Sequence, residues 1–114
     1  MVDVESQGVP SPKVLADLVQ RIVETVHPLR VILFGSAAEG RMGPDSDLDV
    51  LVIVPNNVAP GEAEAAIYRH LWGLRCPVDV IAVTEETVRK YGSNPYLIFH
   101  TALVTGKDLY RAAG

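Results

Sequence analysis

Cationic surplus, cysteine and long apolar runs are all scarce in this chain, and each scarcity removes a class of function. Ten Lys and Arg stand against fourteen Asp and Glu, for a net charge of −4. A protein that coats nucleic acid needs a cationic surface to neutralise phosphates, so nucleic acid is not an expected partner. Cys76 is the sole cysteine, which excludes an internal disulfide and a cysteine-based zinc site. His27, His70 and His100 are widely spaced, with no H-x-x-x-H or C-x-x-C companion, so zinc is not expected. No stretch approaches eighteen uninterrupted apolar residues, and no membrane span is expected. The opening MVDVESQGVPSPK is polar and acidic and lacks the apolar core of a signal peptide. A cytoplasmic location is the expectation.

What is present suits a folded core. The chain is 114 residues, 48% hydrophobic and 21% charged, which is globular rather than disordered composition. A second core would leave each half too small, so residues 1–114 are expected to form one domain, with 1–10 a short arm. Ser11 and Pro12 carry an N-cap and first-turn signature. Val14, Leu18, Ile22 and Val26 follow at helical spacing, and Pro28 closes the run. Arg30–Phe34 and Asp47–Val54 read as strands around a turn-rich stretch with one helical turn at Ser36–Glu39. Gly61–Leu74 reads as a helix on the stripe Ile67, Leu71 and Leu74, with Tyr68 and Trp72 packing beside it. Val78–Val83 reads as a third strand, followed by a short helix capped by Thr84. A last helix is expected from Asn94-Pro95 through Val104, stopped by Gly106. The fold class is therefore α/β in the α+β sense: a small mixed sheet with helices packed against it.

The chemistry concentrates in FGSAAEGRMGPDSDLDVLV. Strand alternation puts Asp47 and Asp49 on one face and Leu48, Val50 and Val52 on the other, and Asp45 joins the carboxylates if the strand starts early. Asp79 sits within VDVIAV, a run that otherwise reads as core. Carboxylates embedded in buried strands are costly unless paired. If the second and third strands are neighbours, three of them converge and repel, and Mg²⁺ is the natural neutralising partner because it takes carboxylates and phosphate oxygens together. Gly35-Ser36, at the end of one strand and the start of a turn, can present backbone N–H groups to an anion.

Gly35-Ser36, ten residues, then Asp47-Leu48-Asp49 resembles the signature of the DNA polymerase β-type nucleotidyltransferases. The chain's small size makes it similar to the minimal, MntA-like members that partner HEPN proteins. The likeness runs from Arg30 to Asp79, with a weaker echo in Gly106-Lys107-Asp108-Leu109-Tyr110. The resemblance implies a polymerase β-like fold and transfer of NMP, AMP above all, from an NTP to an acceptor hydroxyl. It implies two Mg²⁺ ions: Asp47 and Asp49 would bind both, and Asp79 would bind the catalytic one and align or deprotonate the acceptor. Gly35 and Ser36 would hold the phosphates of ATP or another NTP. The acceptor it implies is a tyrosine of a separately encoded helical HEPN protein, in a toxin–antitoxin pair. The chain departs from the family where an Arg-x-Arg-Gly pattern often follows Gly-Ser. Ala37 and Glu39 occupy those positions, and Arg41 just downstream is the remaining candidate for phosphate contact.

Plainer readings stand beside these. Asp47 and Asp49 could mark a solvated turn, Asp79 an exposed edge strand, Ser36 an N-cap and Arg41 a surface residue. Cys76 reads as a small buried hydrophobe. Tyr96, Leu97, Phe99 and Leu103 are either core or an interface, including one between copies of the chain. A non-catalytic, antitoxin-like binding partner of a HEPN protein is the alternative function.

Overall fold

The structure, a computed structural model, describes residues 10–41 and 47–113. Helix α1 spans Pro12–Val26. Ser11 caps it, its hydroxyl accepting the Lys13 N–H at 3.2 Å, which satisfies one of the donors that a helix start leaves unpaired. Its buried seam is Val14, Leu18 and Ile22, and it ends where His27 turns left-handed at φ 48°. Pro28, with no N–H to donate, then starts the connection to β1. Of the arm expected over 1–10, only Pro10 falls within the described residues, and it is buried.

Strands β1 (Arg30–Phe34), β2 (Leu48–Val54), β3 (Val78–Thr84) and β4 (Lys107–Arg111) form one sheet in the order β3-β2-β1-β4. β1 pairs antiparallel with β2 and β4, and β2 pairs parallel with β3. The sheet is mixed, as expected. Both faces are covered. Helices α1 and α2 (Pro60–Arg69) pack on the side carrying Val31, Leu33, Val50 and Val52. Helices α3 (Glu85–Tyr91) and α4 (Ile98–Thr105) contribute Val88, Phe99, Ala102 and Leu103 over Ile32, Phe34, Leu51 and Ile53. Two-sided cover explains why β2 reads LDVLVIV, apolar at every position but one. Burying each large side chain there contributes roughly 1.5–3 kcal/mol.

Three elements differ from the sequence expectation. Helix α2 stops at Arg69, five residues before Leu74. His70, Leu71 and Leu74 instead donate to residues three back, at 2.8, 3.2 and 3.0 Å, and Gly73 takes φ +86°. Arg21 pins this turn by donating to the carbonyls of His70 and Trp72 at 3.1 and 2.5 Å. Leu71 and Leu74 still reach the core, but Trp72 is 92% exposed and does not pack as expected. Asn94 caps a turn rather than a helix, its side chain accepting the Tyr96 N–H at 3.0 Å, so α4 starts only at Ile98. Tyr96 is 93% exposed.

Strand β4 was not expected at all. It follows Gly106 directly. Gly106 ends α4 by donating to the Ala102 carbonyl at 2.9 Å and lies against β1. A methyl group there would collide with the Ala102 carbonyl oxygen, Ile32 Cγ2 and the Leu33 carbonyl oxygen. Replacing Gly106 with alanine should therefore destabilise the fold by about 1–3 kcal/mol through overpacking. The urea midpoint measures this, and an unchanged midpoint would contradict the close packing of the α4–β4 junction.

Candidate active site

The site is set by strand ends. β1 finishes, β2 and β3 begin, and β4 begins at one end of the sheet, with Phe34 opposite Asp49, Asp49 opposite Asp79, and Leu33 opposite Lys107. Paired residues share a face, and neighbouring strands lie about 4.8 Å apart. Asp49 and Asp79 thus stand side by side on the α3–α4 face, with Leu51 and Ile81 the next residues on that face in each strand. The expected alternation holds: Leu48, Val50 and Val52 point into the opposite core.

Asp49 is half-buried, while Asp47 and Asp79 are exposed. Asp79 lies on an edge strand, as its plainer reading had it, yet also in register with Asp49. Burial pushes the Asp49 carboxyl up from its ordinary value, and the nearby charges of Asp79 and then Asp47 push it further. Cys76 is buried, and its thiol is raised by that burial and by the charge of Asp47. It is a packed side chain without nucleophilic character. Asp45, with all of Met42–Ser46, lies outside the described residues.

Asp49 rests against the turn that follows β1. Gly35 has φ +75°, and a Cβ built on it would overlap Asp49 Oδ2. Glycine is required there twice over, for the left-handed backbone and for the space the carboxylate fills. After it the chain makes one helical turn, with Glu39 N–H donating to Gly35 O at 3.2 Å and Arg41 N–H to Ser36 O at 2.8 Å. Among the described residues, the N–H groups of Ser36, Ala37 and Ala38 have no backbone acceptor in this turn. Ala37 and Ala38 are buried beneath the turn. Arg41 pairs with Glu39 at 3.0 Å, both exposed, so its charge is already partnered.

Asp49 and Asp79 on adjacent strands, with Asp47 just before β2, are hard-oxygen donors whose charges repel at Asp49. Hard oxygen donors of this kind are the type that Mg²⁺ takes. Among the described residues no three such side chains close on one point; the backbone register pairs Asp49 with Asp79, and Asp47 lies just before β2. The sequence did not anticipate Lys107 at this end of the sheet. Its position follows from β4, whose signal was the Gly106 stop. The apolar groove of about 420 Å³ between α1 and β4, lined by residues such as Leu15, Val19 and Leu109, holds no ionisable carboxylate, cysteine or histidine and lies apart from this chemistry.

A family model described as a nucleotidyltransferase domain matches residues 13–102. The chain belongs to the nucleotidyltransferase domain family. Among solved structures, a toxin–antitoxin crystallised with AMP-PNP superposes with a TM-score of 0.60 at 20% identity, over 86% of this chain and 73% of that one. A Sulfolobus solfataricus protein described as a candidate nucleotidyltransferase superposes with a TM-score of 0.50 at 25% identity, over 67% of this chain and 69% of that one. These likenesses establish a minimal nucleotidyltransferase fold. No curated protein matches the sequence. Among the described residues, no helix of this nucleotidyltransferase domain is long and apolar enough to cross a membrane.

The raised Asp49 carboxyl has a consequence for stability. An acid whose folded value lies above its unfolded one binds its proton more tightly when folded, so stability falls as pH rises through that window. The penalty is fully present at neutral pH and disappears below the ordinary carboxylate range. Replacing Asp49 with asparagine should therefore raise the melting temperature at pH 7 by roughly 2–6 °C in metal-free buffer. The gain should shrink steadily towards pH 4, the direction opposite to loss of an attractive ion pair. Thermal melts across pH check it.

Proposed function

We propose that this domain is a Mg²⁺-dependent nucleotidyltransferase that moves NMP, and specifically AMP from ATP, to an acceptor hydroxyl with release of pyrophosphate. The observation that carries the reading is Asp49 seated on Gly35 while in register with Asp79. That contact couples an anion-binding turn to a carboxylate cluster within one strand end. Asp47, Asp49 and Asp79 would hold the metal, two ions in the arrangement the family resemblance implies. Its chemistry there is neutralisation of phosphate charge and stabilisation of attacking and leaving oxygens.

The chain's own groups divide the remaining work. Backbone N–H groups from Ser36 onward, with the Ser36 hydroxyl, orient the phosphates. Asp79, the exposed carboxylate at the open edge, accepts the proton of the incoming hydroxyl. Asp49, the least solvated, fixes the cluster against Gly35. The acceptor we favour is a tyrosine of a separately encoded helical partner of the HEPN type, in a toxin–antitoxin pair. The toxin–antitoxin structure with a bound nucleotide analogue supports that reading.

A second reading keeps the partner and drops the chemistry. It is favoured by the Glu39–Arg41 ion pair and by Ala37 in the core, which leave no free arginine in the first turn after Gly35-Ser36. Mixing the protein with such a partner, Mg²⁺ and α-labelled ATP separates the two. The enzyme labels the partner, and Asp79→Asn lowers labelling by at least about a hundredfold without weakening the complex. A pure binding module leaves the partner unlabelled and neutralises it in either form. Label carried instead from the γ-phosphate would mean phosphorylation and contradict both readings.

A further inference from the structure

The two edges of the sheet are finished differently. On β3 the Val80 N–H donates to the Tyr68 hydroxyl oxygen at 2.7 Å, and the Ala82 N–H donates to Glu64 Oε2 at 2.8 Å. Helix α2 thus straps that edge with two side chains, a device that blocks pairing with another strand. β4, the other edge, pairs with β1 on one side, and among the described residues no strand pairs with its outer side. The apolar groove of about 420 Å³ lies here, with Leu15, Val19 and Val23 of α1 on one wall and Leu109 and Tyr110 on the other. The register of β4 against β1 slips by one residue: Tyr110 opposes Val31 and Asp108 opposes Ile32, which leaves Leu109 as an extra residue. Leu109 and Tyr110 therefore both pack on the α1 face. Asp108 and Arg111, opposite Ile32 and Arg30, share the α3–α4 face.

We propose that β4 and the groove beside it form an interface with a second copy of this chain. The two β4 strands pair antiparallel about a two-fold axis between Leu109 and Tyr110. Faces and charges both select this register. From Asp108 to Arg111 the side chains take one face, then twice the other, then the first again, a pattern that reads the same in reverse. An antiparallel copy therefore sets Asp108 opposite the partner's Arg111 and Leu109 opposite the partner's Tyr110, each pair on a common face. Both charge pairs join opposite signs, and Lys107 meets the partner's Ala112. A slip of one residue, with Leu109 opposite itself, would set Lys107 against the partner's Arg111, like in charge and on the wrong face. The same axis brings the two apolar grooves together over the Leu109 and Tyr110 pairs. One isologous contact thus removes the open edge and covers the apolar surface beside it.

Sedimentation equilibrium of the full chain should show a monomer–dimer equilibrium. Arg111→Asp should raise its dissociation constant more than about tenfold, since like charges then oppose each other twice, while far-UV circular dichroism matches the wild type. The register is read independently by a variant carrying Lys107→Cys and Ala112→Cys. These positions oppose each other across the two-fold axis, within disulfide reach, but lie about 16 Å apart along one strand. Mild oxidation should give a covalent dimer from this variant and none from the wild type, whose Cys76 is buried. A chain that stays monomeric up to about 1 mM, its groove then left to residues 1–9 or to a different protein, overturns the proposal. A dimer that withstands Arg111→Asp and fails to cross-link overturns it too, because that dimer uses another face. Cross-linking decides where the two measurements disagree or where Arg111→Asp folds poorly.

Discussion

One side chain organises the functional end of the molecule: the Asp49 carboxylate, set into an otherwise fully buried strand and lodged against the backbone of Gly35. Everything around it follows from making that placement tolerable. Gly35 must lack a side chain because the carboxylate fills the space a Cβ would take. β1 must end at Phe34, because the next residue has to turn left-handed beneath Asp49. Partial burial and two neighbouring acids then raise its carboxyl.

The rest of the sheet supplies the rigidity this requires. β2 is central, paired on both sides and packed on both faces, so Asp49 cannot retreat from its neighbours by moving backbone. The flanking edges are protected differently. On one side α2 straps β3 through Tyr68 and Glu64. On the other, β4 is tied to β1 by the Arg30–Asp108 ion pair at 2.7 Å. The hydrogen bond from Arg30 holds the Asp108 carboxyl below its usual range, with Arg111 assisting. Asp108 thus favours folding when charged, whereas charged Asp49 opposes it. The two carboxylates thus act in opposite directions within the same small sheet.

Much of this was legible in the sequence where local chemistry is decisive. Ser11, Thr84 and Gly106 marked helix ends because capping is a short-range interaction. The alternation around Asp47 and Asp49 gave the correct faces because a strand's period is two. Other elements depended on distant partners. β4 is a five-residue strand with two exposed charges at its start, and only β1 makes it a strand. The early end of α2 depends on Arg21, 49 positions from His70. The pairing of Arg41 with Glu39, and the tethering of Tyr68 to Val80, are likewise invisible without the fold. The pairing of acidic residues could be inferred; the hydrogen bonds that tie α2 to the edge of β3 could not.

If Asp49 belongs to a cation site, a divalent ion should relieve the repulsion that raises its carboxyl. Thermal melts of the wild type and Asp49→Asn, each with and without Mg²⁺ at pH 7 and without nucleotide, test it most directly. Mg²⁺ should stabilise the wild type, following mass action on the folded state. Asp49→Asn should start out more stable and gain little from the ion. Equal gains in both proteins would contradict it, and so would a less stable asparagine variant.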